Sequence, residues 1–170
     1  ILSRLLSIIR YCFREENEGD ALTDEELLSL NGISKSPEIM EFCGKLTATL
    51  EIDTSIDYSN MIYGAYMNSE TADHVKKINL NDTNIVTFIE NKTNYLWYIS
   101  NAGEKKQDEL VVYHGGCYSP VRGRWFRKIY AAGKEKNIMF RHASDIDVGG
   151  FRIFTRLKNE IIPELIPYHM

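Results

Sequence analysis

A chain of 170 residues holds one ordinary domain, or a compact domain with a small appendage, which excludes a large multidomain machine. Hydrophobic residues at 44% and charged residues at 26%, with only four prolines, build a core and exclude wholesale disorder. The net charge of -4 argues against a surface that is basic all round, as an autonomous nucleic-acid binder usually carries.

No apolar run approaches the ~20 residues needed to span a bilayer, and the apolar start is broken by Arg4 and Arg10. A soluble protein with no membrane partner is expected. Cys12, Cys43 and Cys117 are odd in number, widely spaced and without a CxxC pair, which suits a reducing cytoplasm better than a disulfide framework or a zinc site. Charge is uneven along the chain. Residues 1–100 carry 8 Lys+Arg against 16 Asp+Glu, whereas residues 101–170 carry 12 against 8. Across 119–141, Arg122, Arg124, Arg127, Lys128, Lys134, Lys136 and Arg141 face the single acid Glu135, either as a solvated helix face or as a phosphate-facing ridge.

In chain order, Leu2, Leu5, Leu6, Ile9 and Phe13 recur at helical spacing, predicting an amphipathic helix over 1–16. Thr23 and Glu26 form a capping-box pair that opens a short helix ending at Gly32. Ser36 and Pro37 open another by the cap and first-turn rule, carrying Ile39, Met40 and Phe42 to Gly44. Alternation from Leu46 to Ile52 predicts a half-buried strand. Two short helices and a strand suggest a small α+β winged-helix-like unit over 1–78. Residues 53–68 are ambiguous, and Ser69 caps a helix containing Ala72, Val75 and Ile78.

After residue 80 strands and helices alternate. Strands are expected at Ile85–Ile89, Leu110–Tyr113, Asn137–Arg141 and Ile162–His169. Helices are expected at Tyr95–Ser100, ending near Gly103, from Ser119–Pro120 to Gly133, and through Phe151, Ile153, Phe154 and Leu157. Alternation of this kind makes an α/β fold with a parallel sheet, whose ligands bind beyond the carboxyl ends of the strands. Glu90, the loop 114–119 and the stretch Asp145–Gly150 lie there.

Glu90 ends an apolar strand, and Asp145 and Asp147 come after another at a two-residue spacing that puts both on one side of extended chain. Two carboxylates ~5 Å apart repel by roughly 3 kcal/mol at an effective dielectric of ~20. A divalent cation relieves that repulsion, and oxygen donors without histidine or cysteine suit Mg2+ or Mn2+. Gly149 and Gly150 open the next helix with backbone N–H groups that suit an anion.

The strand ending in Glu90, the glycine turn and Asp145-Ile-Asp-Val-Gly149 resemble the Toprim domain of topoisomerases, primases and several nucleases, over about residues 80–170. The segments FIENKTNYLWYI, VVYHGGCYSP, HASDIDVGGFRIFTRL and, upstream, SPEIMEFCGKL resemble the C-terminal part of the Wadjet anti-plasmid JetD family, relatives of the topoisomerase VI A subunit. That resemblance implies a Toprim-type four-stranded, mostly parallel sheet flanked by helices over 79–170, a winged-helix-like cap remnant over 1–78, and an N-terminal arm outside this chain. It implies a Mg2+- or Mn2+-dependent DNA endonuclease that acts on double-stranded DNA as a homodimer beside an SMC-type complex. Glu90 then matches the Toprim glutamate, which helps hold metal and acts as general acid or base, and Asp145 and Asp147 match the metal-binding aspartates. In a two-metal arrangement one cation lowers the pKa of the attacking water and the other stabilises the leaving 3' oxygen.

Lys92, Arg122 and Arg124 are candidate DNA phosphate contacts, Lys92 two residues after Glu90 and both arginines in the first turns after Pro120. His114 and His142 precede turns but as single histidines read as satisfying local hydrogen bonds, and Cys117 reads as structural. Tyr11, Tyr58, Tyr63 and Tyr66 carry no motif that selects a nucleophile, which favours hydrolysis over strand passage. Two alternatives stand beside the nuclease. One is a non-catalytic DNA-binding or assembly module with the same fold. The other is a haloacid dehalogenase-type phosphatase, whose D-x-D also comes after a strand, but normally the first one.

Overall fold

The computed structural model describes residues 2–13, 23–33, 36–101 and 108–169. It forms two compact units, Ile1–Ser36 and Pro37–Met170. The first contains α1 (Leu2–Phe13) and α2 (Asp24–Leu30). The capping box is formed as expected: the Thr23 hydroxyl accepts from the Glu26 N–H, and the Glu26 carboxylate accepts from the Thr23 N–H at 2.8 Å. Asp24 also pairs with Arg10 of α1. The expected end of the first helix, at Glu15 to Glu18, lies outside the described residues.

The second unit is built on a six-stranded mixed sheet in the order β4-β1-β7-β6-β8-β9. Its members are β1 (Ile39–Cys43), β4 (Ala65–Asn68), β6 (Ile85–Ile89), β7 (Glu109–Tyr113), β8 (Met139–Ala143) and β9 (Ile166–Pro167). The four strands from β6 onward pair in parallel, while β1 runs antiparallel to both β4 and β7. The sheet is therefore larger than the four strands expected and draws two of them from before residue 79. A second sheet, order β3-β2-β5, is antiparallel and comprises β2 (Thr47–Leu50), β3 (Ser55–Asp57) and β5 (Val75–Asn79).

The helix expected after Ser36–Pro37 is instead β1. Met40 and Phe42 are 3% and 0% exposed and alternate with less buried neighbours, so the local period is two, and pairing with β4 and β7 overrides the cap signal. With that helix gone, the expected pair of short helices does not form. The helix expected from Ser69 through Ile78 is only α3 (Ser69–Asp73), capped by the Asn68 side chain rather than by Ser69. Val75 and Ile78 belong to β5, whose ladder with β2 holds them there. The last expected strand shrinks to β9, because Ile162 and Leu165 are fully buried in turns instead.

The remaining helices are α4 (Lys92–Ser100), α5 (Pro120–Lys134) and α6 (Val148–Glu160). α5 starts as its sequence dictates, with the Ser119 hydroxyl accepting the Arg122 N–H and Pro120 in the first turn. Alternate residues of β6 face opposite ways. Val86 and Phe88 enter the larger core with Trp125, Phe126 and Ile129 of α5 and Leu157 of α6. Ile89 and Val111 enter the smaller one, with Tyr95 and Ile99 of α4. The expected end of α4 near Gly103 lies outside the described residues. No described helix is long and apolar enough to cross a membrane.

Candidate functional site

β6 and β8 are neighbours in register, Ile89 opposite Ala143, so the residues just past each strand emerge at the same edge of the sheet. The ladder runs one step further: the Glu90 N–H donates to the Ala143 carbonyl at 3.0 Å, and the His114 N–H to the Ile89 carbonyl at 2.8 Å. Glu90 is thereby set between His114, next after β7, and Ser144, next after β8. Strand alternation gives all three the face of Phe88.

The aspartates lie in the next few residues. Asp147 caps α6, its Oδ1 accepting the Gly150 N–H at 2.7 Å, and its own N–H donates to the Asp145 carbonyl at 2.9 Å. A Cβ at Gly150 would lie 2.1 Å from that carbonyl oxygen, so the tight turn of the D-x-D loop against the first turn of α6 requires glycine there. Both aspartates are exposed, whereas Glu90 is half-buried.

Burial pushes the Glu90 carboxyl above the ordinary range, and the negative charges of Asp145 and then Asp147 push it the same way; a backbone hydrogen bond from Asp145 opposes them. The three acids expected from sequence to come together therefore sense one another. Glu90 Oε2 is buried and accepts no hydrogen bond among the described residues. The same holds for Ser144 Oγ and for both ring nitrogens of His114 and His142. His114 stacks on Phe126 at 5.2 Å and meets His142 edge to face. Burial drives these imidazoles down to about 3 and about 4, so both are neutral.

This polar row was not legible as a unit. Its only signal was parity, since His114, Glu90, His142 and Ser144 share one face only once the strand order is known. Hard oxygen donors with an unsatisfied buried member suit a divalent cation in chemistry. As placed, however, no group of three or more His, Cys, Asp or Glu side chains among the described residues is arranged to hold a metal.

The cations expected to meet DNA do not converge here. Lys92 pairs with Glu41 and lies 4.8 Å over the Tyr113 ring. Arg122 pairs with Glu38 at 3.3 Å and donates to the His114 carbonyl at 3.4 Å, which brings it nearest the row. Arg124 grips Asp73 through two hydrogen bonds of 3.0 and 2.7 Å. Lys128 donates to the carbonyls of Ala72, Asp73 and Val75, closing the end of α3. Much of the basic run between 119 and 141 is thus spent inside the fold.

No curated protein matches the chain. Residues 44–170 match the family described as Wadjet protein JetD, C-terminal, a span that takes in both sheets except β1, the polar row and the D-x-D loop. On that match over more than half its length, the chain belongs to the Wadjet protein JetD C-terminal family.

Proposed function

We propose that this chain is the nuclease part of a Wadjet defence protein, a metal-dependent DNA endonuclease with a Toprim-type site made by Glu90, Asp145 and Asp147. Family membership gives the Wadjet role. The observation that carries the chemistry is the register of β6 with β8, which brings Glu90 and the Asp145–Asp147 loop out at one sheet edge; burial first, and then the charges of Asp145 and Asp147, raise the Glu90 carboxyl.

Glu90, Asp145 and Asp147 would hold Mg2+ or Mn2+, which supplies an activated water and charge stabilisation on the leaving oxygen. Glu90 would also be placed to act as general acid or base beside the bound cation. Asp147 is fixed by its contact with Gly150, while the Asp145 side chain makes no hydrogen bond among the described residues and is available to a ligand. Among the cations, a phosphate would compete with Glu38 for Arg122, with Glu41 for Lys92 and with Asp73 for Arg124. Double-stranded DNA, a second copy of the chain and an SMC-type complex are the partners this reading entails.

The test is nicking or linearisation of a plasmid by the full-length protein with Mg2+ or Mn2+, against Asp145→Ala. Loss of cleavage in the variant is expected, together with loss of the stabilisation that Mn2+ gives the wild type in a thermal melt. Equal cleavage by both removes the site. A second reading, a silent DNA-binding module, is favoured by the failure of the three carboxylates to converge as placed. It predicts salt-sensitive DNA affinity that is indifferent to metal and to Asp145→Ala.

A further inference from the structure

Within the unit Pro37–Met170, the described residues bury only one face of α6. Ile153 and Leu157 are buried, but Val148 and Phe151 are 67% and 53% exposed. Together with Arg152, Thr155, Arg156, Asn159 and Glu160 they line a groove of about 490 Å³ along the outer side of the helix. These positions recur at three- and four-residue steps, so they form one continuous stripe. The stripe starts at the residue after Asp147 and leads directly away from the D-x-D loop.

Its charge differs from that of the basic run between 119 and 141. Arg152 is exposed and makes no hydrogen bond or ion pair among the described residues, in contrast to Lys92, Arg122 and Arg124. Arg156 is planted, lying 4.3 Å over the Tyr118 ring and donating to the Tyr118 carbonyl and to Glu160. An exposed aromatic beside an unpaired guanidinium, with hydroxyl and amide groups further along and the Glu160 charge already matched by Arg156, has the composition of a surface for a nucleic-acid single strand: a base on the Phe151 ring, a phosphate on Arg152. A duplex keeps its bases stacked internally and offers none to Phe151.

Resting on the nuclease reading, we propose that the outer face of α6 holds an unpaired stretch of the DNA strand adjoining the scissile phosphate, with Phe151 stacking on a base and Arg152 on a phosphate. The probe is a fluorescein-labelled oligo(dT), titrated with the full chain without divalent metal and compared with a labelled duplex. Phe151→Ala is expected to weaken oligo(dT) binding on the order of tenfold while changing duplex affinity by less than about twofold. Arg152→Glu is expected to weaken oligo(dT) binding and to flatten its salt dependence. Both positions are exposed, and a circular-dichroism melt confirms that the variants fold.

Wild-type oligo(dT) affinity in both variants, or no oligo(dT) binding by the parent chain, overturns the proposal. So does a fall in oligomeric mass on Phe151→Asp without a change in oligo(dT) affinity, which would make the face a contact between protein copies. Asp145→Asn separates the two claims: it should abolish cleavage yet bind oligo(dT) normally. Cleavage surviving in that variant defeats the nuclease site, whereas loss of cleavage with unaltered α6 variants defeats only this inference.

Discussion

His114 and His142 meet edge to face at 5.2 Å, both fully buried, and no ring nitrogen of either is hydrogen-bonded among the described residues. Each pKa is depressed by burial, His114 to about 3 and His142 to about 4, so the unfolded chain binds protons that the folded one refuses. Stability is then highest above the ordinary histidine value near 6.5 and falls as the pH drops from there towards about 4. The slope contributed is up to ~1.4 kcal/mol per pH unit for each ring. Urea unfolding at about pH 7 and about pH 5 should show it, and His142→Phe should remove about half of the loss. An unchanged pH slope in that variant would show that the pair is not its source.

Glu90 titrates in the opposite sense. Its carboxyl is raised in the folded state, so the folded chain holds the proton more tightly, and stability declines as pH rises through the interval above the ordinary carboxyl value. The cost persists at neutral pH, where Glu90 is charged beside Asp145 and Asp147. Glu90→Gln is expected to melt higher than wild type at neutral pH without added metal, and to gain less from Mn2+. A variant that melts lower in both conditions would contradict the like-charge account.

Gly150, in the first turn of α6, packs directly against the D-x-D loop. Because a methyl there would press on the Asp145 carbonyl at 2.1 Å and on Ser144 Oγ at 3.0 Å, the backbone must move. Gly150→Ala should cost about 1–3 kcal/mol in chemical denaturation. It should also reduce plasmid cleavage by the full-length protein more than that cost explains, since Asp145 would be displaced relative to Glu90.

At the other end of the same strands, Glu109 is 4% exposed in its side chain and accepts from Arg141 at 2.8 Å, from Thr87 and from Tyr98. Arg141 also lies 3.8 Å over the Tyr168 ring. Removing the cation alone strands a buried charge, so Arg141→Met should destabilise by about 3–5 kcal/mol. Arg141→Met combined with Glu109→Leu should recover most of that loss. If the double variant is no better than the single, packing rather than charge holds this corner together.

The sequence by itself determined the elements whose signals are local. The Thr23–Glu26 box, the Ser119–Pro120 start of α5 and the apolar run Ile85–Ile89 depend on contacts within a few residues, and each formed where its spacing put it. The parallel pairing of β6 with β8 puts the ends of those two strands, and so Glu90 and the start of the Asp145–Asp147 loop, at one edge of the sheet. Only the tertiary structure decided that Ile39–Cys43 is a strand, because its partners β4 and β7 lie far along the chain and outweigh a local cap. The same holds for the cations. Arg124 and Lys92 each find a carboxylate 51 residues away, a choice that no window of neighbouring sequence contains, and pairing of opposite charges then withdraws them from other ligands.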